Sequence, residues 1–213
     1  GSNAVKIKYP AIGSPMTVTS FDTGATFLGK PAIRIELSLP IAGTHARFPV
    51  RRIFCVGRNY VEHQKEMGGD GREQPFFFIK SAHSLVAGGG NVHYPPKTAN
   101  YHYETEMVVA IGKGGRRIKE ADAYNHVAGY APYNDGSVRD LQWATTQWTT
   151  GKNFPTTGSF GPWMTTVDEV PADTVLTLIT RLNGVEMQRA TTQMMIHSIP
   201  RLIAFISNFT ELV

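Results

Sequence analysis

Three acidic side chains have the types and the spacing of ligands for a divalent metal ion. They are Glu104, Glu106 and Asp135. The first two lie in the β-branched and aromatic stretch YHYETEMVVAI, which is typical of a strand, where side chains two apart point to the same face. Carboxylates held that close repel each other unless a cation neutralises them or one takes a proton. The spacing therefore predicts a magnesium-type site that Asp135 completes, and an exposed strand face is the alternative.

A second pair of residues could move protons. His63 and Glu66 follow an apolar strand expected over residues 53–56 that ends at Gly57, and they lie in a short predicted helix. Residues three apart share a helix face, and a carboxylate beside an imidazole raises its basicity and fixes its orientation. The pair suits a general base, although an ordinary surface pair has the same spacing.

Five motifs add to these two clusters. They are CVGRNYVEHQKEM at 55–67, PFFFIK at 75–80, YETEMVVAIGK at 103–113, GYAPYNDGSVRDLQ at 129–142 and WTTGKNF at 148–154. Together, in this order and spacing, they resemble the fumarylacetoacetate hydrolase family from about residue 50 to the C-terminus. The segment FPVRRIFCVGRNY is similar to the fumarylpyruvate hydrolases of that family. The run YNDGSVRD is closer to its hydratases and isomerases of oxo-diacids.

The resemblance implies a role for each residue that falls on a family position. The implied metal ligands are Glu104, Glu106 and Asp135. The implied catalytic residues are His63, Glu66 and Lys152. The implied substrate-binding residues are Arg58, Gln142 and Lys80, although a lysine at the end of a strand more often reaches into solvent. The implied cofactor is Mg²⁺, with Mn²⁺ as the alternative and Ca²⁺ as a substitute in crystals.

The resemblance also implies a fold and an activity. We expect a predominantly β protein, with mixed β structure, short helices and a rolled, barrel-like sheet. The implied enzyme is a metal-dependent, homodimeric hydrolase that cleaves a carbon–carbon bond in an acylpyruvate or fumarylpyruvate during aromatic or amino-acid catabolism. Decarboxylation of oxo-acids, or isomerisation and hydration of unsaturated oxo-diacids, would use the same site. A non-catalytic family member is a further alternative, which would be expected to lack a metal carboxylate or the His–Glu pair.

Two domains are expected along the chain. Residues 1–49 are rich in Pro, Gly and Thr and predict an N-terminal extension or small β lobe, of which 1–4 look like the remnant of an expression tag. Residues 50–213 would form the catalytic domain. Family members continue with further closing strands beyond the position of Val213, and we expect the natural protein to do the same.

Composition narrows the choice of partners and compartment. The formal net charge is +4, but the basic residues are scattered, which favours a small anionic oxo-acid over nucleic acid. No apolar run is long enough for a membrane span. The single cysteine, Cys55, lies in an apolar strand and fits a reducing, cytoplasmic environment.

Two local patterns near the C-terminus predict specific elements. Asn183-Gly184 follows an alternating stretch over 175–182 and predicts a two-residue β-hairpin turn. Ser198 and Pro200 predict the start of a helix whose apolar stripe recurs at helical spacing. The stripe consists of Ile199, Leu202, Ile203 and Ile206.

Overall fold

The computed structural model describes residues 4–6, 20–27, 30–35, 37–61, 73–87, 90–172 and 174–213. In these ranges the chain is predominantly β with a few short helices, as the sequence predicts. The strands are β1 (Ala4–Lys6), β2 (Ser20–Phe27), β3 (Lys30–Ile35), β4 (Ser38–Pro40), β5 (Arg47–Pro49), β6 (Ile53–Gly57), β7 (Phe76–Lys80), β8 (Leu85–Ala87), β9 (Tyr101–His102), β10 (Thr105–Ile111), β11 (Val127–Asn134), β12 (Ser137–Val138), β13 (Gly158–Phe160), β14 (Thr165–Thr166), β15 (Thr177–Leu182) and β16 (Val185–Thr191). The α-helices are Arg139–Gln142, Thr149–Lys152 and Ile199–Phe209. Short 3₁₀ helices cover Ala82–Ser84, Glu120–His126 and Thr192–Met194.

The largest sheet has the strand order β10-β11-β13-β8, and β14 also pairs with β11. Its β13–β8 pair is parallel and its other pairs are antiparallel, so the sheet is mixed. A second sheet has the order β1-β15-β16, in which β1 runs parallel to β15. The remaining strands form two-stranded pairs: β2–β3, β4–β5, β6–β7 and β9–β12.

Strand β10 separates two hydrophobic clusters. The first cluster lies under the helix Ile199–Phe209 and consists of Ile118, Ala123, Val127, Tyr130, Leu176, Ile199, Ile203, Ile206 and Leu212. The second consists of Leu39, Leu85, Ala110, Ala131, Tyr133, Phe160 and Met164. Met107, Val109 and Ile111 pack on the first cluster, whereas Val108 packs on the second. Because both faces of β10 are covered, its sequence from Met107 to Ile111 is a continuous apolar run without polar alternation.

Both local predictions near the C-terminus are confirmed. Asn183 and Gly184 connect β15 to β16 with positive φ angles of 50° and 85°, as a primed hairpin turn requires. The Ser198 hydroxyl accepts a hydrogen bond from the Arg201 backbone N–H at 3.3 Å and caps the last helix. Within the predicted stripe Leu202 is half-buried, and the three isoleucines are buried.

Part of the predicted N-terminal extension packs against the rest of the chain. Leu39 is 2% exposed and belongs to the second cluster. The Ala42 backbone N–H donates to the Met164 carbonyl at 2.9 Å. The boundary after residue 49 stays a prediction.

Among the helices of the described ranges, none is both long and apolar enough to cross a bilayer.

The hydroxyl of Tyr133 is unusual among the buried polar atoms. Tyr133 lies on β11 between Glu106 and Phe160 in the strand register, and it is 6% exposed. It is the single buried side-chain oxygen or nitrogen in the described ranges that has no hydrogen-bond partner. Tyr101 provides a matched contrast, since its hydroxyl donates to the Thr157 carbonyl at 2.6 Å.

We expect Tyr133→Phe to leave the free energy of unfolding unchanged or to raise it by up to about 1–3 kcal/mol, because it removes a desolvated, unpaired hydroxyl. Tyr101→Phe should lower it by about 0.5–1.5 kcal/mol, because it removes a formed hydrogen bond. Urea unfolding of both variants and the wild type measures the difference. A loss in Tyr133→Phe as large as in Tyr101→Phe would contradict the assignment.

Candidate active site

The three candidate metal ligands lie at one end of the β10–β11 pair. Glu106 is opposite Tyr133 in the antiparallel register. Asp135 directly follows β11, and its backbone N–H donates to the Glu104 carbonyl at 2.8 Å. The strand register therefore brings together carboxylates that are about thirty residues apart in sequence.

The strand predicted from residue 101 onward is interrupted at Glu104. Regular pairing in β10 begins only at Thr105, so Glu104 occupies an irregular position between β9 and β10. Two side chains hold this irregular backbone. The Asn134 amide oxygen accepts from the Glu104 N–H at 3.0 Å, and the Gln188 amide oxygen accepts from the Thr105 N–H at 3.2 Å. Sequence reasoning assigned no role to either amide, because neither is charged and only Asn134 lies within one of the five motifs.

Two lysines converge on the acidic cluster. Lys80 Nζ lies 2.6 Å from Asp135 Oδ1. Lys152 Nζ lies 2.9 Å from Asp135 Oδ2 and 2.6 Å from Glu104 Oε2, and it also donates to Ser137 Oγ at 2.6 Å. Lys80 is 1% exposed, so it does not reach solvent as an ordinary lysine at a strand end would. Both lysines named from the sequence thus lie in the candidate site.

An arginine that sequence reasoning missed joins the same cluster. Arg139 Nη1 lies 2.5 Å from Glu104 Oε1 and donates to Gln142 Oε1 at 2.7 Å. Gln142 is 1% exposed, and this hydrogen bond to Arg139 is what connects it to the cluster. In the sequence Arg139 lies four residues beyond Asp135, and an arginine with no assigned partner is normally solvated. Only its position one turn beyond a candidate ligand could have indicated it.

Burial and the neighbouring charges lower the pKa of one carboxyl group in the cluster and raise the pKa of another. Burial works against the charge on Asp135, but Lys80 and Lys152 outweigh it, so the pKa of Asp135 is lowered. Burial works against the charge on Lys152 too, but Asp135 and Glu104 outweigh it, so the pKa of Lys152 is raised. Glu106 differs, because loss of hydration and then the charges of Glu104 and Asp135 raise its pKa to about 8.

The three carboxylates supply the oxygen donors of a hard-cation site, but their present arrangement does not form one. Among the described residues, no three His, Cys, Asp or Glu side chains converge on a single metal-sized point, and the Lys152 ammonium lies between Glu104 and Asp135. Glu106 is the member of the three that no lysine or arginine of the described ranges pairs with. A desolvated carboxylate beside two others favours a further cation, and carboxylate oxygens are the ligands that Mg²⁺ and Mn²⁺ prefer.

Aromatic rings line the cationic side of the site. The Lys152 Nζ lies 5.3 Å from the ring centroid of Phe78 and 5.9 Å from that of Trp148. The guanidinium carbon of Arg58 lies 5.4 Å from the Trp148 ring and 5.6 Å from the Phe76 ring. Arg58 therefore lies beside the site, because it and Lys152 contact the same indole ring.

The predicted proton-transfer pair is not tested by these contacts. His63 and Glu66 fall outside the described residues, and so does the helix predicted to carry them. Their role as a general base stays a prediction.

Cys55 lies on β6, and burial, followed by the charge of Asp135, raises the pKa of its thiol, which fits a packed and unreactive side chain.

Two glycines allow the backbone to pack closely around the cluster. A Cβ on Gly136, which follows Asp135, would collide with the Tyr101 hydroxyl and the Thr157 carbonyl. A Cβ on Gly151 would lie 2.5 Å from the Gln142 backbone nitrogen. These two glycines form the floor of the site, and neither position has room for a methyl group.

The fold and the cluster together place three carboxylates and three cationic side chains at the end of a mixed sheet. The family model for the fumarylacetoacetate (FAA) hydrolase C-terminal region matches residues 52–213. The chain therefore belongs to the fumarylacetoacetate hydrolase family, as the sequence motifs indicate.

Curated relatives include two oxaloacetate tautomerases. Human mitochondrial oxaloacetate tautomerase FAHD2A is 36% identical over 204 residues, which cover 92% of this chain and 65% of the human protein. Oxaloacetate tautomerase YisK of Bacillus subtilis is 38% identical over 162 residues, which cover 75% of this chain and 54% of that protein. The chain thus spans less than two thirds of the length of either relative.

Similar solved structures carry other activities in their names. Fumarylpyruvate hydrolase from Pseudomonas aeruginosa in complex with Mn²⁺ and pyruvate has a TM-score of 0.78 and 40% identity, and the match covers 83% of this chain and 79% of that one. The 2-hydroxyhepta-2,4-diene-1,7-dioate isomerase from Mycobacterium marinum has a TM-score of 0.68 and 28% identity, covering 88% of this chain and 68% of that one.

The raised pKa of Glu106 predicts a pH-dependent stability in chelator. The pKa is about 8 in the folded chain against 4.5 ordinarily, so folding favours the protonated form. The folded state is therefore penalised progressively as pH rises from about 4.5 to 8, and the penalty is absent at lower pH. Glu106→Gln removes the titration, and we expect it to gain up to a few kcal/mol over wild type between pH 5 and pH 8 in EDTA.

Thermal unfolding at several pH values, with EDTA and with Mn²⁺, measures this effect. Exposed Glu169→Gln is the control and should follow wild type at every pH. Mn²⁺ should raise the Tm of wild type and leave Glu106→Gln nearly unchanged. A difference between Glu106→Gln and wild type that does not vary with pH would contradict the assignment.

Proposed function

We propose that the protein is a divalent-metal-dependent hydrolase that cleaves a carbon–carbon bond in an acylpyruvate or fumarylpyruvate-type β-diketo acid. The observation that carries this proposal is the cluster of Glu104, Asp135, Lys152 and Arg139 at the end of β10 and β11. Support comes from the similarity to a fumarylpyruvate hydrolase that was crystallised with Mn²⁺ and pyruvate. A role in aromatic or amino-acid catabolism follows from such a substrate.

Glu104, Glu106 and Asp135 are the residues that would hold the metal. We propose Mg²⁺ as the ion, with Mn²⁺ as the alternative. When bound, a divalent ion would polarise the oxygens of the 2-oxo-acid end of the substrate.

The charge balance of the cluster favours an anionic ligand. Three cationic side chains, Lys80, Lys152 and Arg139, oppose the three carboxylates, so the fully ionised cluster is close to neutral. A divalent cation makes the site positive. Lys152 and Arg139 would then be free to share their charge with a substrate carboxylate, and Arg139 can bind it through two parallel N–H groups.

Hydrolysis requires an activated water. We propose that His63, oriented by Glu66, takes a proton from water, and that the resulting hydroxide adds to the distal carbonyl carbon. The tetrahedral intermediate then breaks the bond to the pyruvyl carbon, which takes the proton back and leaves as pyruvate. The second product is a carboxylic acid. The charge of Lys152 would stabilise the negative oxygen that develops during these steps.

Oxaloacetate tautomerisation is the second candidate function. The names of the human and Bacillus relatives favour it. Tautomerisation moves a proton between a carbon and an oxygen of an oxo-acid and needs no attack by water. The metal ion and the cationic side chains of the same site would therefore serve this reaction too. Isomerisation of an oxo-diacid is a related possibility that the Mycobacterium structure supports. A non-catalytic role has less support, because the chain keeps the three candidate metal carboxylates and the His63–Glu66 pair.

A substrate panel separates these functions. Purified protein is assayed on fumarylpyruvate, acetylpyruvate and enol-oxaloacetate, with Mn²⁺ or Mg²⁺ and with EDTA. We expect release of pyruvate from a β-diketo acid that depends on metal. Fast tautomerisation of oxaloacetate without any pyruvate release would assign the second function instead.

The variant His63→Ala tests the base within the same panel. It should lower kcat for hydrolysis by about 10²–10⁴-fold and leave Mn²⁺ affinity nearly unchanged. Wild-type turnover would place the base elsewhere. Lys152→Met is the companion variant and should impair both hydrolysis and binding of pyruvate, because it removes a charge from the acidic cluster itself.

A homodimer is proposed from apolar side chains that β7 and the last helix leave exposed. Phe76 is 37%, Ile79 58% and Phe209 64% exposed. Patches of this kind commonly mark interfaces, and we expect a two-fold interface that buries more than about 1,000 Å² in total. Light scattering at tens of micromolar should give a dimer mass. Ile79→Asp should weaken the dimer, and Val185→Asp, on the β15–β16 hairpin, should not. A monomeric wild type would refute the proposal.

We propose a cytoplasmic location for this chain. The proposal rests on the single cysteine and on the small anionic substrate. The human relative carries the word mitochondrial in its name, so fractionation of cells that make the natural protein is the measurement that decides.

A further inference from the structure

The side chain of Asn153 joins the backbones that carry the two buried lysines. Asn153 directly follows Lys152, and its amide contacts the residues on either side of Lys80. Its Oδ1 accepts from the Ser81 backbone N–H at 2.6 Å, and its Nδ2 donates to the Ile79 carbonyl at 3.2 Å. One short, half-buried side chain therefore connects the end of β7 to the helix that carries Lys152.

The same amide closes that short helix. Its Nδ2 also donates to the Thr149 carbonyl at 3.2 Å. The helix spans only Thr149–Lys152, and no side chain caps its N-terminus. A helix of one turn is not stable by itself, because the cost of nucleation exceeds what its few hydrogen bonds contribute. Its place therefore depends on contacts with its surroundings, and Asn153 provides one at its C-terminal end.

The position of these backbones matters because lysine side chains are flexible. The ammonium groups of Lys80 and Lys152 bind different oxygens of Asp135, at 2.6 Å and 2.9 Å, so their separation sets the orientation of that carboxylate. A lysine ammonium sits on a flexible stem and imposes no geometry of its own, so the geometry has to come from where each stem begins. The hydrogen bonds of Asn153 go to the backbone and not to either ammonium, and they fix both starting points relative to each other.

Ser81 orders the chain that leaves Lys80. Its hydroxyl accepts from the His83 backbone N–H at 3.2 Å, and its carbonyl accepts from the Ser84 backbone N–H at 3.0 Å, so the chain enters a capped 3₁₀ turn. On the other side, Lys80 pairs with Ile53 in β6. The amide contact therefore acts on an ordered segment and not on a loose loop.

We propose that Asn153 is a positioning residue that holds Lys80 and Lys152 at the separation that turnover requires. Lys152 keeps its charge without this amide, so binding of the oxo-acid end of a substrate would persist. Stabilisation of the negative oxygen during the reaction would weaken, because it needs the ammonium in one fixed place. The inference rests on the proposed function and adds to it a residue that acts through the lysines and not on the substrate.

Steady-state kinetics of Asn153→Ala in Mg²⁺ tests the positioning role. We expect kcat for pyruvate release to fall about 10–100-fold, whereas the Kd of pyruvate, measured by calorimetry, changes by less than about threefold. Ser207→Ala is the matched control, because it also removes hydrogen bonds between a side chain and the backbone, at 2.9 Å and 3.0 Å, but in the last helix. It should lower the Tm and leave kcat at the wild-type value.

NMR spectra of the lysine ammonium groups supply a readout that a general loss of stability does not move. An ammonium group that is buried and held by fixed acceptors exchanges its protons slowly with water, so its signal is sharp. We expect sharp signals from Lys80 and Lys152 in isotope-labelled wild type in EDTA, assigned with Lys80→Arg and Lys152→Arg. Both signals should broaden in Asn153→Ala and stay sharp in Ser207→Ala.

Two further comparisons separate the contact beside Lys80 from the closing of the helix. Asn153→Ser keeps a hydroxyl that can bind the carbonyl of the preceding turn but cannot reach both flanks of Lys80, so it should be as impaired as Asn153→Ala. Ser81→Pro and Ser81→Ala both remove the hydroxyl, but only the proline also removes the N–H that donates to Asn153, and the φ of −72° at this position suits proline. Ser81→Pro should lower kcat by about tenfold or more and broaden both ammonium signals, whereas Ser81→Ala should do neither.

The outcomes distinguish this inference from the proposed function. Wild-type kcat with sharp ammonium signals in both Asn153→Ala and Ser81→Pro would overturn the positioning role and leave the proposed function standing. Recovery of kcat in Asn153→Ser would overturn it too, because the residue would then act only as a helix cap. Absence of pyruvate release by the wild type from every β-diketo acid would overturn the proposed function, and the ammonium spectra would then decide by themselves whether Asn153 orders the two lysines.

Discussion

The ion pairs of Asp135 with Lys80 and Lys152 are the interaction on which the rest of the site depends. All three side chains are almost fully buried, so each would be costly to keep charged without the others. Their pairing fixes the end of β7, the turn after β11 and the helix Thr149–Lys152 relative to one another. Glu104 and Arg139 extend the alternation of charge, since Lys152 pairs with Glu104 and Glu104 pairs with Arg139. Such a network stabilises the fold only weakly, but it specifies one arrangement of the chain around a charged centre.

The strand register determines which side chains reach this centre. Both faces of β10 are covered by apolar clusters, so a polar group can be accommodated only where the strand begins. Glu104 and Glu106 lie there, and the irregular backbone at Glu104 is held by the side chains of Asn134 and Gln188. The β15–β16 hairpin carries Gln188. It therefore helps to hold the backbone beside Glu104 but adds no charged group to the site.

Local features of this fold could be read from the sequence, and the convergence of the site could not. The Asn183-Gly184 turn and the capped helix after Ser198 depend on backbone chemistry within a few residues, and both were predicted correctly. Glu104 and Glu106 were found from their spacing of two on a predicted strand, and Asp135 from its position in a motif. Arg139 was missed because its partner is about thirty-five residues away. Lys80 was undervalued for the same reason, since its burial results from strand pairing and from Asp135.

The close packing at Gly136 and Gly151 has a consequence for how this site can change during evolution. Backbone and hydroxyl groups already fill the space where side chains at these positions would extend. New substrates cannot be accommodated by enlarging or reshaping the floor one residue at a time, because each such step would displace Asp135 or Gln142. Variation is confined to the rim, where Trp143 is 49% exposed and Arg58 lies at the surface. A library built to alter substrate range would therefore be most productive at the rim, with the floor kept constant as an invariant scaffold.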